Sequence, residues 1–432
     1  MAQIIAHAER DVDEKSNYCS ECKTLISRHS LSTHRMRCPV IIRDAKRRAA
    51  PYRRVDANVD DDRRCERDVA TYFIPLSPRD GDEFPFSTHA RMHEILRRAA
   101  NDGDVVNATL EATRDAEAER RLASCAASAA RARSTRPRHV TPVFSKKHDD
   151  QYAAIASAMF HHGLCPGGRE RASDGGDSSV RAEARPAYVE FGAGRGYLSQ
   201  FVSDAYGDVD VCLVEREVYR FKAERTLRRR ENGFAERVVV DIKDLDVSKL
   251  ACVNARDVIG MAKHLCGSAT DFALRACVRE NDVVEFRCLG VALATCCHHR
   301  CRWNAYVNRP YLLSLGITRG DFERLAKISS WATLDDERDD AKTNEHARGT
   351  IEWTGDERAA FASTPRGEKI ALGRLAKALI DEGRRRWCES RGFESQLISF
   401  VPREVSPENV LLVARAKSVA AAFPLETPSS AT

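Results

Sequence analysis

Between Ala187 and Ala416 the chain repeats one pattern, a short apolar run followed by a stretch able to form a helix. The runs are AYVEFG, VCLVE, RVVVDI, DVIGMA and CLGVALAT, and then SQLISFV and NVLLVARA. Strand-like runs separated by helices mark a doubly wound α/β sheet. The last two runs follow the helical stretch GEKIALGRLAKALIDEGRRRWCESRG and are joined only by PREVSPE, which predicts an antiparallel hairpin at the sheet edge. The expected fold class is therefore α/β, with seven strands.

The first run leads into Glu190-Phe-Gly192-Ala-Gly194-Arg-Gly196 and then a helix. Glycines there let the backbone turn tightly and approach a ligand where a side chain would clash. The spacing is ExGxGxG, whereas a dinucleotide loop wants its third glycine one position later. An acid two residues before the first glycine suits a cationic amino-acid ligand, such as the methionine end of S-adenosylmethionine. Two more acids fall at later strand ends: Glu215 closes VCLVE and Asp241 closes RVVVD. The first can accept from both ribose hydroxyls, and the second from an adenine amino group. Glu190, Gly192, Gly194, Gly196, Glu215 and Asp241 are thus the expected cofactor-binding residues.

Ligands of open α/β sheets bind beyond the carboxyl ends of the strands. The fourth run ends in MAKHLCG and the fifth in TCCHHRC, so Lys263, His264, Cys266, Cys296, Cys297, His298, His299 and Cys301 should flank the reacting group. Methyl transfer from a sulfonium needs mainly in-line positioning. A ribose hydroxyl acceptor is a weak acid and also needs a base or a cation that stabilises its anion. Lys263 is the first candidate, with His264 and His298 as alternatives. Two readings of TCCHHRC stand side by side: a wall of substrate-positioning side chains over buried thiols, and a second metal site.

The segment CSECKTLISRHSLSTHRMRC combines C-x2-C and H-x3-C spacing. A tight knuckle would supply Cys19 and Cys22, while x3 spacing would set His34 and Cys38 one turn apart on one helix face. These four are the expected zinc ligands, preferred over His29, and a segment so short and polar would have zinc as its core. From Cys19 to Arg54 ten Lys or Arg face two acids, a local charge of +8 within a chain whose net charge is +5. A basic block on a small module favours a phosphate-rich partner. These features divide the chain into 1–55, a zinc finger with a basic extension; 56–139, a helical and partly disordered connector; and 140–420, the catalytic domain. The last carries polar insertions at about 166–186 and 335–366.

Apolar runs such as LGVALATCC fall short of the ~20 residues that span a bilayer, which excludes a membrane-spanning protein. The opening MAQIIAHAERDVDEKSNYC lacks a basic stretch leading into an apolar segment. The expected location is intracellular, cytoplasm or nucleus, where the 15 cysteines are thiols or metal ligands rather than disulfides. No obligate protein partner is legible.

Together the motifs resemble one family, the eukaryotic tRNA 2′-O-methyltransferases that modify nucleotide four of the acceptor stem. The resemblance rests on YVEFGAGRGYLS, LVEREVYRFK, VVVDIKDLDVSK, AKHLCGSATD, ALATCCHHRCRW, ISSWAT, LGRLAKALIDEGR and SPENVLLVA, in that order, with PYRRVDANVD after the finger. It implies a Rossmann-like methyltransferase sheet, S-adenosylmethionine as donor, tRNA as partner, and two N-terminal zinc elements. The first of those elements is expected to be absent, because nothing before Cys19 supplies ligands. Cys22 stands where the second usually has histidine. Two other functions share these motifs: a base or protein methyltransferase, and a zinc-finger RNA-binding protein with an inactive α/β domain.

Overall fold

A computed structural model of the chain describes residues 16–18, 25–27, 34, 38–59, 88–101, 146–165, 185–207, 209–219, 223–229, 233–253, 256–278, 286–334 and 361–417. The chain divides into two compact units, Met1–Arg54 and Val55–Thr432. In the first, strand β1 (Ser16–Tyr18) pairs antiparallel with β2 (Leu25–Ser27). Helix α1 (Pro39–Arg48) opens on a proline, tolerated there because a first-turn N–H has no helical partner anyway. It ends in Lys46, Arg47 and Arg48, cations favoured at the negative end of the helix dipole.

The second unit holds a seven-stranded sheet in the order β5-β4-β3-β6-β7-β9-β8. Its strands are β3 (Ala187–Phe191), β4 (Asp210–Glu215), β5 (Ala235–Val239), β6 (Val258–Cys266), β7 (Cys288–Cys296), β8 (Phe393–Ser399) and β9 (Val410–Ala416). All seven correspond to the apolar runs of the sequence. The first five are parallel, and β9 pairs antiparallel with both β7 and β8. The terminal hairpin therefore occupies the edge, as in a methyltransferase-like fold. Every residue of β3 and β7 is buried, which is why those runs read as continuously apolar. Strand order reverses between β3 and β6, so a crevice opens where their carboxyl ends diverge.

Two cores fix this sheet. Ile155 and Met159 of α3 (Lys146–His161) and Phe201 of α4 (Tyr197–Tyr206) pack with Tyr188, Leu213 and Val413 of the sheet. The second joins α2 (Thr88–Asn101), α6 (Arg319–Ile328) and α7 (Arg366–Ser390) through Met92, Leu96, Tyr306, Phe322, Leu379 and Ile380. Helix α2, from the stretch expected as connector, thus packs into the core of the second unit. Arg91 of α2 grips both carboxylate oxygens of Asp321 at 2.9 and 2.7 Å. Buried Asn58 donates to the Ile242 and Leu245 carbonyls at 2.7 and 2.9 Å. Residues 107–134 of the expected helical connector lie outside the described residues, as do 166–184 and 335–360. The end of the second insertion is not loop: Phe361 is buried and packs edge-on against Trp331, with ring centroids 5.2 Å apart. One aromatic flanked by alanines leaves no period in the sequence.

Beneath the ends of β6 and β7 lies a buried ion network. Arg384 of α7, without solvent access, donates to Asp271 Oδ2 at 2.6 Å, Asp381 Oδ1 at 2.9 Å and the Gly267 carbonyl at 3.1 Å. Asp271 belongs to α5 (Ser268–Cys277), so one guanidinium joins two helices and a strand end. Replacing one partner of such a group strands the others' charges, which removes about 3–5 kcal/mol. Arg384→Met should lower the unfolding free energy obtained from denaturant titration by that amount; a loss within the ordinary surface range would show that the network contributes little.

Candidate active site

The glycine loop turns directly out of β3. Gly192, Gly194 and Gly196 all have positive φ, at 59°, 49° and 78°. A Cβ on Gly194 would meet no atom within 4 Å, so the loop faces open space at its centre and leaves a cradle for a ligand. Gly196 is the N-cap of α4 and has no side chain to cap with. Glu190 supplies the cap instead: its Oε2 accepts from the Ser199 amide at 3.0 Å and from the Ser199 hydroxyl. Burial, partly offset by those hydrogen bonds, pushes Glu190 up to about 7. Its first duty is thus to hold the helix that follows the loop.

Glu215, at the end of β4, accepts from the Gly194 amide at 2.9 Å through Oε2 and from the Arg216 amide at 2.9 Å through Oε1. The carboxylate is therefore oriented beside the loop before any ligand arrives. Asp241 lies two residues beyond β5 and caps a short 3-10 turn, accepting from the Lys243 amide at 3.0 Å. The anchored Asn58 holds this same turn. The three carboxylates and the glycine cradle supply the acceptors and negative charge that suit a nucleoside bearing a cationic amino acid.

Lys263 sits where β6 bulges between Ala262 and Leu265. It is 8 % exposed. Its Nζ lies 2.8 Å from His148 Nδ1 and 3.9 Å from the centre of the Tyr152 ring. Burial lowers it to about 7, with the Glu190 carboxylate opposing that shift. His264 reaches the surface, yet partial desolvation and then the Lys263 ammonium favour its neutral imidazole. His298 is elsewhere. Its side chain has no solvent access, and Nε2 pairs with Asp381 at 2.8 Å within the Arg384 network. Of the three candidate catalytic residues, the structure brings Lys263 and His264 to the crevice end of β6 and places His298 in the core.

The remainder of TCCHHRC divides similarly. Cys301 is buried and its Sγ accepts from Arg384 at 3.2 Å. Cys296 and Cys297 approach Cys266, and the three sulfurs all lie within 4.8 Å of one another. In the first unit, Cys19 and Cys22 lie outside the described residues, in the segment flanked by β1 and β2. His34 is helical, but buried Cys38 is extended, at φ −60° and ψ 119°. Pro39 disfavours helical backbone in the residue before it, and residues 35–37, between the two expected ligands, lie outside the described residues.

His148 and Tyr152 were not legible as site residues. They lie over a hundred residues from Lys263, and only their spacing on α3, one turn apart, hints at a shared face. Lys263 sets a test of this geometry. The native state binds fewer protons at this amine than the unfolded chain does between about 7 and 10.5. Stability should therefore rise with pH across that window, and Lys263→Met should remove that part of the rise in denaturant titrations. A difference between the two proteins that is constant with pH would mean the amine is solvated like a surface lysine.

The family model described as Methyltransferase TRM13 matches residues 176–415, more than half of the 432-residue chain. A human protein named tRNA:m(4)X modification enzyme TRM13 homolog is 32% identical over 290 residues, covering 53% of this chain and 60% of that protein. The Vanderwaltozyma polyspora enzyme of the same type is 30% identical over 258 residues, covering 53% and 56%. A Dictyostelium discoideum homologue is 36% identical over 160 residues, covering 35% and 30%. The chain thus spans about 60% of the human relative's length and less of the other two. With the glycine loop, the strand-end acids and the KHLCG and CCHHRC segments all inside the matched region, the chain belongs to the Methyltransferase TRM13 family.

Proposed function

We propose that the chain is an S-adenosylmethionine-dependent tRNA methyltransferase that methylates the ribose 2′-hydroxyl of nucleotide 4 in the acceptor stem. The observation that carries this reading is the buried Lys263 amine at the crevice end of β6, beside a glycine cradle ringed by Glu190, Glu215 and Asp241. The relatives' printed names, tRNA:m(4)X modification enzymes, support the substrate class and position.

Glu215, already oriented by the Gly194 and Arg216 amides, would accept from the cofactor's ribose hydroxyls, and Asp241 from its adenine amino group. Glu190, with one oxygen committed to Ser199, would be drawn to its ionised form by the methionine ammonium, because a nearby cation favours the carboxylate. When bound, the cofactor supplies an electrophilic methyl group on a sulfonium. Lys263, with its pKa lowered to about 7, is largely an amine above neutrality and can take the proton of the 2′-hydroxyl at Nζ. His148, hydrogen-bonded to that nitrogen and open to solvent, gives the proton a way out. His298 has no acid–base part here; it positions the strand end through Asp381.

In the first unit, Cys19, Cys22, His34 and Cys38 would hold zinc. The buried Cys38 and the hairpin that brackets Cys19 and Cys22 fit that role. The cations of α1 and of the segment before it would meet tRNA phosphates.

Calorimetry and methyl-transfer assays on transcribed tRNA test the reading. Glu215→Ala should weaken cofactor binding roughly 10- to 100-fold. Lys263→Ala should leave that affinity within a few-fold and lower kcat by roughly 10²–10⁴-fold. In the wild type kcat/KM, which reports the unliganded chain, should rise with pH through about 7, because the amine is the active form. A tRNA carrying a 2′-deoxynucleotide at position 4 should accept no methyl group; undiminished methylation of that substrate would remove the ribose assignment.

A further inference from the structure

Cys266 closes β6 and Cys296 closes β7, and the two are direct partners in the parallel register. Neighbouring strands stand about 4.8 Å apart, and here the sulfurs approach to 3.4 Å. Strand alternation would send the next side chain, Cys297, to the opposite face. Instead Cys297 turns into left-handed backbone, φ 49° and ψ 45°, and its sulfur joins the other two within 4.8 Å. Among the described residues only Asp56 shares a positive φ outside glycine. That conformation is disfavoured by roughly 1–2 kcal/mol and persists where the surroundings enforce it. They do so here. Glu408, paired with Lys377, accepts the Cys297 amide at 3.3 Å, and the Gly267 amide donates to the Cys296 carbonyl at 2.9 Å. A Cβ on Gly267 would stand 2.6 Å from Arg300 Cβ, so the 298–300 turn closes directly onto the end of β6.

We propose that Cys266, Cys296 and Cys297 form a mononuclear site for a thiophilic divalent cation, zinc in the first place, distinct from the N-terminal finger. A tetrahedral ion with Zn–S bonds of about 2.3 Å sets its sulfurs about 3.7 Å apart. The three thiols meet that spacing with little movement. A disulfide would use two of them and leave the strained Cys297 unexplained. A [4Fe–4S] cluster places a separate iron behind each sulfur and needs a wider spread, and a [2Fe–2S] cluster needs two thiolates on each of two irons. The fourth position is open to water or to a neighbouring imidazole, with His264 and His299 on either side of the cluster in sequence. The ion would clamp together two strand ends, one carrying Lys263 and the other the 298–300 turn. This assignment does not depend on which group the enzyme methylates.

Elemental analysis of the full chain, expressed with zinc and freed of loosely held metal, decides the matter. The wild type should carry about two zinc ions, and Cys38→Ser, a substitution within the first unit, about one. X-ray absorption of the ion retained by Cys38→Ser should show about three sulfur neighbours near 2.3 Å. Cys266→Ser should lose that ion and keep the other, and because the Cys38→Ser result stands on an intact site, misfolding of Cys266→Ser would not obscure the answer. A finger that fails to bind would appear as one ion in the wild type, kept by Cys38→Ser and lost by Cys266→Ser, which still supports the site. A metal-free Cys38→Ser chain, or a Cys266–Cys296 disulfide found by mass spectrometry in protein never exposed to oxidant, would overturn it.

Discussion

A guanidinium with no access to water must be neutralised where it stands, and Arg384 imposes that condition on everything around it. Asp271 and Asp381 supply the charge, and the Gly267 carbonyl and Cys301 sulfur take the remaining donors. Asp381 in turn engages Thr295 and His298, each at 2.8 Å. The carboxyl ends of β6 and β7 are therefore fixed against α5 and α7 by directional, low-dielectric contacts rather than by apolar packing alone. Lys263 stands three residues before the end of one of those strands, and the 298–300 turn begins two residues after the other.

Rigidity there matters for the chemistry. A lysine amine becomes a usable base near neutral pH only if it is kept from water, and burial is the dominant cause of the lowered value at Lys263. A floppy strand end would let water in and restore an ordinary ammonium. The same holds for Glu215, whose carboxylate is aimed by the Gly194 amide of the loop and by the Arg216 amide beside it. Preorganised groups lose little on binding, so the ion network and the glycine loop contribute to one end, a crevice shaped in advance.

What could be read from the sequence was what is local. The central runs read clearly because strands buried on both faces, as β3 and β7 are, need uninterrupted apolar residues. The glycine loop and its acids lie within a few residues of strand ends, so spacing alone located them. The Arg384 network has no such signature: residues 271, 381 and 384 come from two distant helices, and LIDEGR reads as any charged helical stretch. Nor can adjacent histidines announce which one turns inward. His298 entered the core because Cys297 rotates the backbone beneath it, a conformation that residue identity does not foretell. Asn58 and α2 looked like connector because each meets its partner more than 180 residues away.

The central claim is that this crevice delivers a methyl group to one ribose oxygen. The most direct measurement is nuclease digestion and nucleoside mass spectrometry of tRNA incubated with the chain and isotopically labelled S-adenosylmethionine, with the labelled nucleotide mapped in sequence. The account expects a single ribose-methylated nucleotide at position 4 of the acceptor stem. Label on a base, or on a ribose at any other position, would contradict it.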